Sequence, residues 1–189
     1  MHGSLKEITA EVSPIEVIDN ALPESLVADV EAEIYRQGFE YGWMSTKDKG
    51  YGNWSRIFAG PEVLNREDVT DDLCPPVRAL WDQLAQTYAA GSTPIRAYAA
   101  AYTYGTEGYI HYDSKVATDV TLLLYLSPDW QREWAGKTIF FHGDNIVRAV
   151  LPKYNRLIVF PSSMEHVARS VSRICPVERI ILTFKVRTE

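Results

Sequence analysis

The chain has 189 residues, 46% hydrophobic, 23% charged and 12% aromatic, with a net charge of −6 and no block of like charges. That length suits one domain with a sizeable core. The acidity excludes tight non-specific binding to nucleic acid or an anionic membrane, which needs clustered Lys and Arg.

The opening segment MHGSLKEITAEVSPIE holds no apolar stretch of the signal-peptide kind, and no run approaches the roughly 18 apolar residues of a membrane span. Cys74 and Cys175 are too few for a disulfide scaffold and lack a paired metal-ligand spacing. They are expected to be free thiols, and the protein to be soluble and cytoplasmic, with no nucleic-acid or membrane partner.

In chain order, Pro14–Ile18 alternates briefly and predicts a short strand. After Leu22-Pro23-Glu24-Ser25, the residues Leu26, Val27, Val30, Ile34 and Tyr35 recur at helical spacing until Gly38. Residues 41–60 mix glycines with aromatic residues and have no clear period. They are expected to be strand ends joined by a long loop, with Trp43, Tyr51, Trp54 and Arg56 as candidates for a lid or a substrate contact. A second helix is predicted from about Pro76, since Leu80, Trp81, Leu84 and Tyr88 form one stripe before Gly91.

From residue 94 the period becomes that of strands, at Ile95–Tyr104, Tyr109–Asp113, Asp119–Leu126, Lys137–Phe141, Asn145–Leu151, Arg156–Phe160, Val167–Val171 and Arg179–Arg187. Turn residues separate them, among them Gly105, Pro128-Asp129, Gly143-Asp144, Pro152 and Pro161. The pattern predicts a mostly β protein with flanking helices, built on a double-stranded β-helix (jelly roll) core. A single domain is expected over 1–189, with helical and strand support from 1–93 and the jelly roll over 94–189.

His111 and Asp113, spaced i, i+2, share one face of an extended strand. His166 reaches them only if the sheet folds over itself. Two imidazoles and one carboxylate on one side of a metal leave about three positions open, the facial arrangement of non-haem Fe(II) oxygenases. An HxD pair alone is a weak signal. It gains weight from His166, which follows the turn Phe160-Pro161-Ser162-Ser163, and from Arg179, which opens a long apolar strand.

Period 2 puts Arg179, Ile181 and Thr183 on one face. A guanidinium pointing into a barrel must meet an anion, and a carboxylate fits its fork. The bland alternative is an ion pair with Glu178 or another surface acid. By the same alternation Thr121 and Leu123 line the pocket and Tyr125 offers its hydroxyl. Ile139 is a candidate apolar wall. Tyr104, which shares a face with Tyr102, is the candidate for a second hydroxyl.

The segment from Tyr104 to Phe184 resembles the 2-oxoglutarate- and Fe(II)-dependent dioxygenases of the prolyl 4-hydroxylase type. It is similar to the catalytic cores of the hypoxia-inducible-factor prolyl hydroxylases in YGTEGYIHYD, DVTLLLYLSPDWQREWAGKTIFF, PKYNRLIVF, SSMEHV and RIILTF. The resemblance implies iron ligands at His111, Asp113 and His166, and 2-oxoglutarate contacts at Arg179 and Tyr125 with Tyr104 as a further contact. It implies pocket lining at Thr121, Leu123 and Ile139. Fe(II) would be the cofactor, with 2-oxoglutarate and O2 as co-substrates.

The implied reaction hydroxylates an unactivated C–H bond of a prolyl or peptidyl, free amino acid or small-metabolite substrate and releases succinate and CO2. Related halogenases carry a small residue where this chain has Asp113, so hydroxylation is favoured. Lys137 departs from the family's frequent second glycine, and the interval from His166 to Arg179 is longer than usual. The alternatives are an oxidative demethylase of the same superfamily, suggested by RIILTFK, or a non-catalytic jelly roll that binds a metal or a small acid.

Overall fold

A computed structural model describes residues 15–44, 52–61 and 65–188. Helix α1 (Glu24–Gln37) starts after Pro23, with Glu24 in its first turn, and stops at Gly38, whose φ of 70° favours a residue without a Cβ. Its apolar stripe buries Val27, Val30 and Ile34. Helix α2 (Pro75–Thr87) opens on two prolines, tolerated where amides lack intrahelical partners, and buries Val77, Leu80, Trp81 and Leu84. No helix among the described residues is long and apolar enough to cross a membrane.

The strands are β1 (Glu16–Ile18), β2 (Glu40–Trp43), β3 (Asn53–Ala59), β4 (Ser92–Tyr102), β5 (Asp119–Tyr125), β6 (Thr138–His142), β7 (Asn145–Val150), β8 (Arg156–Pro161), β9 (His166–Ala168) and β10 (Arg179–Thr188). They form a seven-stranded sheet, β1-β8-β5-β10-β4-β3-β2, and a three-stranded sheet, β7-β6-β9. Pairing is antiparallel throughout, which is the mostly β, jelly-roll architecture with flanking helices.

Alternation along the large sheet divides the interior in two. Ala97, Ala99 and Ala101 of β4, Leu122 and Leu124 of β5, and Ile180, Leu182, Phe184 and Val186 of β10 pack under the helices. Trp81 of α2 lies against Phe184 with ring centroids 5.3 Å apart. On the opposite face, Ala100, Tyr102, Leu123, Tyr125 and Ile181 meet Phe140, Val150 and Ala168 of the small sheet. The functional residues lie on this second face.

Three expectations need correction. Tyr109–Asp113 is no strand: it makes one isolated bridge, His111 with His166. The ladder stops there because the amides of Asp113 and Ser114 both donate to the Ser162 carbonyl, at 2.9 and 3.1 Å. The strand expected over Val167–Val171 is β9, already ended at Ala168. The segment expected over Ile95–Tyr104 begins and ends earlier, as β4. The first predicted strand began at Pro14, which lies outside the described residues. Cys74 and Cys175 are free and half-buried.

Candidate active site

The bridge sets His111 and His166 opposite each other, each amide donating to the other's carbonyl at 3.1 Å. Their rings lie 4.5 Å apart. Each imidazole is oriented by its own chain. His111 Nδ1 lies 2.7 Å from the Tyr109 carbonyl and His166 Nδ1 lies 3.0 Å from that of Met164. A ring nitrogen that donates to a carbonyl leaves the Nε2 lone pair free, the arrangement common in metal-binding histidines. Both Nε2 atoms face Asp113, at 3.7 Å from Oδ1 for His111 and 3.6 Å from Oδ2 for His166. One donor atom from each of the three residues falls within 4.8 Å of the others.

Asp113 is buried, and its oxygens are held differently. Oδ2 accepts from the Thr121 hydroxyl at 2.8 Å, and Thr121 is itself 2.8 Å from Ser162 Oγ. Oδ1 lies 2.8 Å from Lys185 Nζ but accepts no well-aligned hydrogen bond among the described residues. Burial alone would raise the Asp113 pKa; Lys185, then the two histidines, hold it well below the usual carboxylate range. Burial pushes the His166 imidazole down to about 4. An ionised carboxylate with a neutral imidazole at His166 is the donor state that a divalent ion requires. The residues present therefore fit iron.

Arg179 opens β10 on the same inner face, fully buried. Its Nη2 donates to Thr138 Oγ1 at 2.8 Å, with the Tyr125 hydroxyl at 3.5 Å. The guanidinium lies over Tyr102 and Tyr125, 5.0 and 5.1 Å from the ring centroids. Its Nε and Nη1 have no hydrogen-bond partner among the described residues. Glu178 is not its partner, since that carboxylate accepts from the Tyr35 hydroxyl at 2.7 Å. A buried cation with two unsatisfied donors and no acid beside it among the described residues calls for an incoming anion. Gly136 is fitted to this arginine: a Cβ there would stand 3.1 Å from Arg179 Cδ and 2.9 Å from the Trp130 ring.

The other expected residues divide. Thr121 holds Asp113, Leu123 lines the cavity beside the histidines, and Tyr125 shares Thr138 with Arg179, its hydroxyl 2.6 Å from Thr138 Oγ1. Tyr104 is not brought to the site: it is 67% exposed and lines a separate surface groove with Glu107 and Arg169. β4 ends at Tyr102, so the alternation that would have turned Tyr104 inward stops two residues short, and Tyr102 faces Arg179 instead. Ile139 also misses the pocket, because Thr138 and Phe140 take the inward positions of β6.

Of the lid candidates, Trp43 lines the cavity, which has a volume of about 670 Å³. Trp54 packs on Tyr41 outside it, and Arg56 donates to the last carbonyls of α1, at 2.8 Å to Gly38 and 3.2 Å to Gln37. Tyr51 lies outside the described residues.

Residues 98–187 match the family model described as the 2OG-Fe(II) oxygenase superfamily. The match spans 90 of the 189 residues, just under half of the chain. The protein is thus a 2-oxoglutarate-dependent oxygenase that uses Fe(II), and the His111, Asp113 and His166 group stands inside the matched segment.

Solved structures share the oxygenase's fold over nearly its whole length. A Pseudomonas putida prolyl-4-hydroxylase is 22% identical, with a TM-score of 0.69 over 93% of this chain and 94% of that one. A Trichoplax adhaerens prolyl hydroxylase, in complex with a hypoxia-inducible-factor oxygen degradation domain peptide fragment, is 18% identical, with a TM-score of 0.68 over 93% and 84%. A Burkholderia pseudomallei oxidoreductase of the 2OG-Fe(II) oxygenase family is 15% identical, with a TM-score of 0.72 over 99% and 92%. No curated protein matches the chain in sequence.

Sequence reasoning missed Lys185, Thr138 and Arg96, which line this cavity, and Ser162, which stands behind it at 2.8 Å from Thr121 Oγ1. Period 2 from Arg179 runs through Ile181 and Thr183 to Lys185, so that residue was within reach of the same argument. Thr138 was a one-position choice on β6. Ser162 carried no signal, since it comes to Thr121 through the turn after β8. The two family departures fall outside the pocket: Lys137 offers its carbonyl to the Arg169 amide at 3.0 Å, and the extra residues after His166 sit in the connection from β9 to β10.

Proposed function

We propose that the protein hydroxylates an unactivated C–H bond, with His111, Asp113 and His166 as the iron ligands and Arg179, assisted by Tyr125, as the anchor for the distal carboxylate of 2-oxoglutarate. The observation that carries this reading is Arg179, fully buried on the inner face with two donors unsatisfied among the described residues. A dicarboxylic keto acid supplies the missing anion at one end and a chelating group at the other. Iron held there would let dioxygen act as the oxidant and 2-oxoglutarate as the co-reductant, one oxygen atom going to the substrate C–H bond and the other to succinate as CO2 is lost.

The side chains bind, orient and exclude water. Thr121 and Lys185 fix the two oxygens of Asp113, so the carboxylate keeps one orientation. The carbonyls of Tyr109 and Met164 do the same for the imidazoles. Tyr102, Tyr125 and Thr138 close over the guanidinium and keep that end dry, where charged hydrogen bonds are strongest. Positioning of this kind is the protein's share of cofactor chemistry. The donor set contains a carboxylate in Asp113, which supports hydroxylation over halogenation.

The whole chain is read as one oxygenase domain acting in the cytoplasm, where the two free thiols fit a reducing compartment. Loading the purified protein anaerobically with Fe(II) and 2-oxoglutarate should produce a weak visible charge-transfer band. Admitting O2 should then give succinate, with +16 products in a metabolite or peptide pool. Absence of both the band and succinate would leave a non-catalytic jelly roll.

A further inference from the structure

Asp113 lies past the isolated bridge of His111, so no strand ladder among the described residues holds it in place. Its amide donates to the Ser162 carbonyl at 2.9 Å. Two side chains from neighbouring strands do the rest. Thr121 of β5 and Lys185 of β10 are registered directly opposite each other. Thr121 donates to Oδ2 at 2.8 Å, while the Lys185 ammonium stands 2.8 Å from Oδ1 and donates to the Asp113 main-chain carbonyl at 3.3 Å.

The two carboxylate oxygens therefore have unlike partners. Oδ2 meets a neutral hydroxyl and Oδ1 a buried cation, which holds its acceptor more strongly. Both oxygens are near enough to the histidines to reach one ion, Oδ1 at 3.7 Å from His111 Nε2 and Oδ2 at 3.6 Å from His166 Nε2. A carboxylate with both oxygens free can bind a metal through one of them or through both. That choice decides what else the metal can take. Two imidazoles and a single carboxylate oxygen leave about three positions open, enough for a chelating keto acid and for dioxygen. A second oxygen from Asp113 would fill the last of them.

We propose that Lys185 is a positioning residue that reserves Oδ1, so that Asp113 offers a metal Oδ2 alone. The proposal rests on the oxygenase reading of the site. Before metal binds, Lys185 compensates the buried carboxylate and keeps the donors assembled, because a buried charge without a partner is costly. Once a divalent ion is held, the same ammonium repels it. Lys185 thus stabilises the empty site, weakens the filled one and keeps a position open.

The test uses the full chain at mildly alkaline pH, where carboxylates are ionised. Mn(II) is titrated by calorimetry, and thermal unfolding is followed with and without Mn(II). Lys185→Met keeps an unbranched side chain and removes the charge. It should bind Mn(II) at least about threefold more tightly than wild type. Its metal-free midpoint should fall, and the rise on adding Mn(II) should exceed the wild-type rise. Lys185→Arg keeps the cation and should bind Mn(II) no more tightly than wild type. At saturating Fe(II) and 2-oxoglutarate, Lys185→Met should lower kcat for succinate by about tenfold or more.

A side chain that merely braced Asp113 would, on removal, weaken Mn(II) binding or leave it unchanged, and either result overturns the proposal. Tighter Mn(II) binding by Lys185→Arg as well would overturn it too, since charge would not be the cause. So would a metal-free midpoint of Lys185→Met at or above the wild-type value, or a wild-type kcat in that variant. Wild-type protein that fails to bind Mn(II), or binds it and then takes no 2-oxoglutarate, would sink the oxygenase reading and this proposal together; wild-type binding of both, with no gain in Lys185→Met, would sink the proposal alone.

Discussion

The two faces of β10 have the same alternation and opposite purposes. Ile180, Leu182, Phe184 and Val186 face the helices and are buried among aliphatic and aromatic neighbours. Arg179, Ile181, Thr183 and Lys185 lie on the inner face, with a cation at each end of the row, and the last three line the cavity. Burial of the first set stabilises the fold at roughly 25 cal/mol per Å² of apolar surface. Burial of the second set costs stability unless anions and a metal arrive. One strand thus joins the part that makes the protein stable to the part that makes it reactive, and substitutions on the two faces should separate those properties.

The largest effect is expected at the metal end of the inner face. His111→Ala should abolish succinate formation while leaving thermal unfolding close to wild type, since His111 is only half-buried. It is a cleaner probe than Asp113→Ala, which would leave Lys185 buried without its carboxylate. Residual wild-type turnover in the His111 variant would remove that residue from the ligand set.

At the other end of the row, Arg179→Ala should raise the 2-oxoglutarate requirement by about a hundredfold or more, because charged hydrogen bonds contribute about 1.5–3 kcal/mol each. Stability should hold or rise, since an unsatisfied buried cation is removed. The matching outer-face change, Leu182→Ala, should do the reverse. A fully buried leucine lost beneath the helices costs about 2–5 kcal/mol, read as a lower denaturation midpoint, with the 2-oxoglutarate KM of the remaining folded protein unchanged. If Leu182→Ala altered KM while Arg179→Ala altered only stability, the division between the faces would be wrong.

Much of this division was legible in the sequence because it follows from period 2. Arg179 against Ile180, and Thr121 and Leu123 against Leu122 and Leu124, sort correctly by alternation alone. Helices α1 and α2 were legible from their apolar stripes and their prolines. Alternation failed where a strand's end or phase was not fixed by its own residues. Tyr104 lies past the end of β4, and Ile139 is out of phase because Thr138, not its neighbour, turns toward Arg179. The His111–His166 contact was foreseen, but not that it is a single bridge. That depends on Ser162, whose carbonyl takes two successive amides and which no local pattern marks.

The smallest predicted effect concerns a carboxylate–cation cluster far from both faces. Asp19, just after β1, accepts from Arg156 at 2.6 Å and Lys153 at 2.7 Å. Hydrogen bonds from Arg156 and then Lys153 lower its pKa to about 2. A depressed carboxylate stabilises the fold fully above its unfolded value near 3.8 and loses that contribution as pH falls toward 2. The Asp19 side chain is 38% exposed, and solvent screening keeps such a pair to about 1 kcal/mol or less. Asp19→Asn should therefore lower stability slightly at pH 7, and the difference from wild type should shrink between pH 4 and pH 2. Asp113 also sits beside cations, but it is buried among the metal-binding side chains. Denaturation curves across this pH range, with 2-oxoglutarate affinity measured in parallel, should show Asp19→Asn changing the first and leaving the second untouched; a change in co-substrate affinity would mean that the rim of β1 and β8 is coupled to the cavity.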